Sequence, residues 1–125
     1  MEDYFIERTI KSPMIKGDCK TGEILIQGRS YPENAVDFYQ PFLTWFDELK
    51  NQQLSSTKFT VDMEYFNTSS AGILFDFIEK VAEYSKEAKV QIVWMYEADD
   101  YEMIAKGKSL KEHFGELFEL RKKED

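Results

Sequence analysis

Apolar and polar residues alternate from Phe59 to Tyr65, as on a strand with one buried face, and the period changes a few residues later. Ile73, Leu74, Phe77, Ile78, Val81 and Ala82 recur at helical spacing and predict a helix reaching about Lys86. Between the two periods stands Asn67-Thr68-Ser69-Ser70, which puts three consecutive hydroxyl side chains at a strand-to-helix junction. The same change occurs twice more. Glu23 to Gln27 reads as a strand closed by Gly28. After the turn Ser30-Tyr31-Pro32-Glu33-Asn34, it gives way to an apolar stripe of Val36, Tyr39, Phe42, Leu43, Phe46 and Leu49. Val90 to Tyr96 is the most β-prone segment and the expected central strand. Asp99 or Asp100 then caps a third helix that turns Tyr101, Ile104, Ala105 and Phe114 toward the core, with Gly107 as a weak point in its middle.

The remaining stretches complete an α/β pattern. Tyr4 to Ile10 has the composition of a short strand, and Ser12 to Lys16 pairs with Glu23 to Gln27 through a glycine-bounded loop, Gly17 to Gly22. Ser30 and Glu33 have capping-box spacing, which places Pro32 in the first turn of the helix, and Pro41 predicts a kink or break inside it. Asn51 to Ser56 reads as a polar loop. Leu117 to Arg121 reads as a short edge strand before a charged tail that starts at about residue 121 and takes in Lys122 to Asp125. The expected fold is a mixed β-sheet with about three helices and parallel neighbours joined by right-handed crossovers. With 125 residues the chain is expected to form a single domain over 1–125, since domains run to about 100–200 residues. Sites in such sheets lie beyond the carboxyl ends of the strands, where the turns 30–34 and 67–70 both open and are expected to face each other.

Charge narrows the function classes. A formal net charge of −8, from 16 basic and 24 acidic residues, opposes long-range attraction to phosphate backbones or anionic lipid, so neither nucleic acid nor a membrane is an expected partner. Cys19 has no second cysteine to pair with. With no signal-type N-terminus and no apolar run near ~18 residues, a reducing cytoplasm is the expected location. His113 stands alone, which leaves little material for a zinc site or a Ser-His triad. Gly107-Lys108-Ser109 resembles the end of a phosphate loop, but Glu102 or Met103 stands where its first glycine belongs. Asp62, Glu64, Asp76, Glu79, Glu83, Asp99 and Asp100 form no convergent pair by spacing and are expected to solvate surfaces. No metal and no cofactor is expected.

Two features remain unabsorbed by folding. Most aromatics, Phe38, Tyr39, Trp45, Phe46 and Trp94 among them, are expected in the core, but Tyr31 and Phe66 adjoin polar turns, where aromatic side chains serve as anchors for partner proteins. Capping a helix needs one hydroxyl and the 67–70 turn has three. If Ser69 or Ser70 caps, Thr68 is free to accept a phosphoryl group, which gains from the exposed N–H groups and positive end of a helix and adds about −1.5 to −2 charge.

The blocks Ser12-Pro13, Gly17-Asp18, Gly22, Gly28, Ser30-Tyr31-Pro32-Glu33-Asn34, Asn67-Thr68-Ser69-Ser70 and Trp94-x-Tyr96 together resemble the SiaC family of bacterial regulatory phosphoproteins, over about Thr9 to Lys106. That family is similar in turn to STAS-domain anti-sigma-factor antagonists of the SpoIIAA kind, whose phosphoacceptor turn Asp-Ser-Ser-Gly-x-Gly aligns without a gap beside Asn67-Thr68-Ser69-Ser70-Ala71-Gly72. The resemblance implies a STAS-like fold and a phosphorylation switch with Thr68 as acceptor. It also implies a GHKL-type serine/threonine kinase, a PP2C-like phosphatase, and an effector bound by the unphosphorylated form, which for the family's namesake is a diguanylate cyclase. Ser70 stands where the STAS turn has glycine, so Ser69 and Ser70 are secondary acceptor candidates.

The expected function is therefore that of a non-enzymatic partner-switching module. Ser30, Tyr31, Pro32, Glu33, Asn34, Phe66 and Asn67 make up its binding patch. Phosphate on Thr68 is expected to weaken binding by desolvation and like-charge repulsion. One rival is a small hydrolase with Thr68 or Ser69 as nucleophile and Glu33 as base. Another is a constitutive adaptor in which the turn only caps a helix.

Overall fold

The computed structural model describes residues 1–124, so Asp125, the last residue of the expected charged tail, lies outside the described residues. Six strands form one sheet in chain order: β1 (Tyr4–Ile6), β2 (Met14–Gly17), β3 (Glu23–Ser30), β4 (Ser56–Phe66), β5 (Lys89–Tyr96) and β6 (Phe118–Lys122). Three helices, α1 (Ala35–Asn51), α2 (Thr68–Glu83) and α3 (Tyr101–Phe114), follow β3, β4 and β5, and a short 3₁₀ turn, Tyr84–Lys86, extends α2. β1, β2 and β3 pair antiparallel, while β3 to β6 pair parallel, so β2 alone runs against the others. The architecture is the expected mixed α/β sheet with three helices.

Alternation along the strands sets the core. Ile24, Ile26, Phe59, Val61, Met63, Ile92 and Trp94 are buried in one cluster with Tyr39, Phe42 and Phe46 of α1, Leu74, Phe77, Ile78 and Val81 of α2, and Met103 of α3. The residues between them on β4, Lys58, Thr60 and Asp62, are only partly covered, as a period of two requires. Phe77 is the hub, with its ring 4.8 Å from Phe42, 4.8 Å from Phe46 and 4.9 Å from Phe59.

Several expectations change in detail. The first strand stops at Ile6, and Ile10 lies in the exposed connection to β2. β3 continues past Gly28 to Ser30, with a shift in register at Gly28/Arg29. Gly28 has φ +130°, which favours glycine, and a Cβ there would sit 3.1 Å from the Arg8 guanidinium, whose side chain pairs with Glu64 of β4. Because Ser30 still belongs to the sheet it cannot cap α1. Asn34 does so, accepting from the Asp37 N–H at 3.1 Å, and Pro32 lies in the connection instead of the first turn. Pro41 does not break α1, which runs unbroken to Asn51. Residues 37 and 41 are both exposed, so the carbonyl that the proline leaves without an N–H partner lies on the solvent side of the helix.

Val36, Tyr101 and Ala105 are exposed, not buried, and Leu43, Ile104 and Phe114 only partly buried. Trp45 joins the core of α1 in their place. Asp100, not Asp99, caps α3 through the Met103 N–H. Gly107 is a point of contact: a Cβ there would fall 2.4 Å from Leu120 Cδ2 and 2.7 Å from Trp94 Cδ1, so its hydrogen lets α3 lie against β5 and β6. Arg121 and Lys122 belong to β6. The Lys123 N–H donates to the Tyr96 carbonyl at 2.8 Å, and its ammonium pairs with Asp62, so this part of the expected tail is fastened to the sheet.

Candidate functional site

Parallel strands deliver their carboxyl ends to one pole, and the two turns singled out by sequence meet there. Ser30 and Phe66 are register partners at the ends of β3 and β4, and the Asn67 N–H donates to the Ser30 carbonyl at 2.9 Å. Asn67 is the cap of α2, its side-chain oxygen accepting from the Ser70 N–H at 2.9 Å. The cap is therefore neither Ser69 nor Ser70. An extended backbone at Asn67 lets its short amide reach forward to the third residue of the helix, the geometry that favours asparagine at this position.

Ser70 has a different place. Its hydroxyl is buried and accepts from Ser30 Oγ at 2.7 Å, while Ser30 Oγ lies 2.6 Å from Tyr39 Oη. Ser30 has one proton, which is directed to Ser70, so the Tyr39 phenol donates to Ser30. These three buried hydroxyls tie the end of β3, the second turn of α1 and the first turn of α2 into one clasp. Burial pushes the Tyr39 phenol up to about 12, against the opposing pull of the Ser30 and Ser70 hydroxyls. Its folded value lies above the ordinary 10.0, so its contribution to stability is complete below pH 10 and is lost as pH rises toward 12. Wild type is expected to lose up to about 3 kcal/mol over this interval in urea titrations, a loss that Tyr39→Phe does not share. Parallel pH profiles of the two proteins would contradict the assignment.

Thr68 is the first residue of α2, and it and Ser69 are exposed. The first backbone bond of the helix runs from Ala71 N–H to the Asn67 carbonyl at 2.9 Å, and Ser70 N–H is capped, so the N–H groups of Thr68 and Ser69 precede the helical ladder. The first turn of α2 carries no acidic residue, whereas α1 has Asp37 and α3 has Glu102 at that place. The positive end of α2 is thus the one left without a carboxylate of its own.

The other expected patch residues divide into surface and core. Tyr31 is half-buried, donates its N–H to the Lys11 carbonyl at 2.7 Å, and packs edge-on to Tyr65 with ring centroids 6.0 Å apart. Glu33 is exposed 3.7 Å from Lys11 Nζ, Asn34 is spent on capping and on Asp37, and Pro32 is partly covered. Phe66 is buried against Trp94 and Phe75, with Lys106 5.6 Å over its ring. The exposed aromatic of that junction is its neighbour Tyr65, on which Arg29 lies at 5.6 Å. Strict alternation places Tyr65 with the buried set, so the pattern by itself does not mark it as a surface aromatic. The register shift after Gly28 leaves both Glu64 and Tyr65 outside.

Little here resembles a hydrolytic centre. His113 stands in the last turn of α3, some 18 Å along that helix from its start at the Thr68 pole. Glu33 faces Lys11, and five clefts among the described residues are lined by neither Thr68, Ser69 nor Glu33. Among the described residues no three His, Cys, Asp or Glu side chains converge as metal ligands, and no helix is long and apolar enough to cross a membrane.

Known proteins are similar to this chain in sequence and in fold. An uncharacterized protein of Pseudomonas aeruginosa strain UCBPP-PA14 is 28% identical over 98 residues, 78% of each chain. The structure of apo-SiaC from Pseudomonas aeruginosa matches with a TM-score of 0.82 at 25% identity, covering 99% of this chain and 100% of that one. A second solved structure from that organism, of the diguanylate cyclase SiaD in complex with its activator SiaC, matches with a TM-score of 0.88 at 24% identity, over 97% of this chain and all of the other. The model of the SiaC family of regulatory phosphoproteins matches residues 6–123, and with that span, this fold and both turns in place, the chain belongs to the SiaC family.

Proposed function

We propose that this protein is a non-enzymatic partner switch whose effector is a diguanylate cyclase and whose binding is controlled by reversible phosphorylation of Thr68. The observation that carries the reading is the division of labour in the turn. Asn67 caps, Ser70 is locked in the buried clasp, and Thr68 stands exposed at a helix start free of carboxylates. A phosphoryl group on Thr68 meets two free N–H groups and the helix dipole, so its ground state is accommodated without unfolding α2. A GHKL-type kinase adds it and a PP2C-like phosphatase removes it. Ser69 is the accessible secondary acceptor, whereas Ser70 is reached only if the clasp opens. The solved complex of SiaD with SiaC supports a cyclase as the effector.

The direction of the switch follows from magnitudes. Binding the unphosphorylated face covers one hydroxyl, while covering a phosphate requires desolvating a charge of about −1.5 to −2, a cost of several kcal/mol unless cations meet it. Attraction from exposed cations on a partner returns only about 0–1 kcal/mol per pair. Desolvation wins, and the phosphorylated form is expected to bind the cognate diguanylate cyclase at least ~30-fold more weakly than the unphosphorylated form in calorimetric titration. Equal affinities would leave the constitutive adaptor as the better account.

A further inference from the structure

We infer that the pole around Thr68 is a docking surface anchored by Ile10, Val36, Tyr65 and Tyr101, and that it fits a partner protein presenting an apolar strip rimmed by lysine and arginine. The inference rests on the switch reading above and adds the surface and chemistry of its effector. Because β1, β3, β4 and β5 all point one way, the connections after them lie together at the carboxyl pole. Among the described residues six large apolar side chains are exposed: Met1, Phe5, Ile10, Val36, Tyr65 and Tyr101. Single exposed apolar residues are ordinary on any surface, but here they are sorted. Ile10 (79% exposed) lies in the connection after β1 and Val36 (63%) in the first turn of α1. Tyr65 (45%) lies at the end of β4, and Tyr101 (78%) is the first residue of α3. All four stand at the pole that carries Thr68. The opposite pole, built from 1–3, 18–22, 52–55, 84–88 and 115–117, holds one of the six, Met1, whose carbonyl accepts from Cys19 Sγ, and Phe5 lies on β1 between the two poles.

Leaving these side chains largely uncovered in the monomer forgoes burial free energy that a partner covering them recovers in part. Tyrosine is also among the residues enriched at the anchoring centres of interfaces.

Charge selects the partner. The cations of this pole are largely engaged, Arg8 with Glu64, Lys11 with Glu33, and Lys123 with Asp62 and Glu97. Arg29 lies over the Tyr65 ring. Asp37, one residue from Val36, and Asp99 and Glu102, flanking Tyr101, have no ion pair among the described residues. A strip with basic residues at its rim meets these carboxylates, gains on-rate from them, and leaves its apolar centre over Thr68, where a phosphate would be desolvated.

Calorimetric titration of the full chain with the cognate diguanylate cyclase tests this. Val36→Ser and Tyr101→Ser should each raise Kd by about tenfold or more. Phe5→Ser, equally exposed but on the N-terminal strand, should stay within about twofold of wild type. Glu102→Lys should bind more weakly and lose part of the salt dependence. Urea unfolding of the same proteins confirms that exposed positions were changed without loss of fold. If wild type binds and both Val36→Ser and Tyr101→Ser bind as well as it does, the surface is wrong. Tighter binding by Glu102→Lys overturns the basic rim. If unphosphorylated wild type binds no cyclase, the switch reading fails first and takes this occupant with it.

Discussion

Thr68→Ala should take up no phosphate from the cognate kinase under conditions where wild type gains the mass of one phosphoryl group. The variant should also remain bound to its effector when kinase and ATP are present. The physical basis is that the alanine removes the acceptor and little else. Thr68 is exposed, its side chain makes no hydrogen bond among those described, and the cap belongs to Asn67. Its effect on stability is therefore expected within about 0.5 kcal/mol. Asn67→Ala, by contrast, removes the cap and should cost ~1 kcal/mol while leaving the acceptor hydroxyl in place. Ser69→Ala should be phosphorylated like wild type. Thr68→Asp should mimic the phosphorylated form only in part, since one carboxylate carries a single charge against about −1.5 to −2 and has fewer acceptor oxygens. Intact-mass measurement decides the central point: an undiminished increase on Thr68→Ala transfers the acceptor role to another residue.

Trp94→Ala should be the most damaging single truncation in the helix–sheet layer. The indole is fully buried, its N–H donates to the Met103 carbonyl at 3.0 Å, and its ring packs 6.2 Å from both Phe66 and Phe118. Truncation opens a cavity and removes the indole's hydrogen bond to the helix, with an expected loss of about 3–5 kcal/mol in urea unfolding. That is a large share of the ~5–15 kcal/mol typical of a domain. Gly107→Ala provides the companion test. Alanine improves helix propensity by about 1 kcal/mol, yet its Cβ would meet Leu120 and the rigid Trp94 ring at 2.4 and 2.7 Å, an overpacking that costs ~1–3 kcal/mol. The clash outweighs the propensity, so Gly107→Ala should destabilise wild type but cost much less in the Trp94→Ala background. Additive losses would place the two residues in independent environments.

Most of the fold was legible because the periods are clean. The alternation holds in β4 from Phe59 to Met63 and fails only at Tyr65, the helical stripe from Ile73 to Ala82 survives in α2, and the Gly17–Gly22 hairpin pairs as expected. Boundaries failed where a side chain had two local uses. Ser30 with Glu33 has the spacing of a capping box, yet Ser30 ends a strand, since its hydroxyl finds Tyr39 and Ser70 and its carbonyl finds Asn67. Gly107 reads as a helix weakness because local propensity sees only lost entropy, while the gain lies in contact with Trp94 and Leu120.

The surplus of hydroxyls after Phe66 is a property of the sequence, and so is its place between a strand and a helix; both follow from periods set by neighbouring residues. Which hydroxyl is free is a tertiary matter. Ser69 and Ser70 are adjacent and chemically identical, yet one is exposed and the other is closed inside a clasp with Ser30, forty residues away. That distinction depends on the β3–β4 register and on the approach of α1 to α2, neither of which any local pattern encodes. Exposure is a sum over distant neighbours, and only the packed chain assembles them.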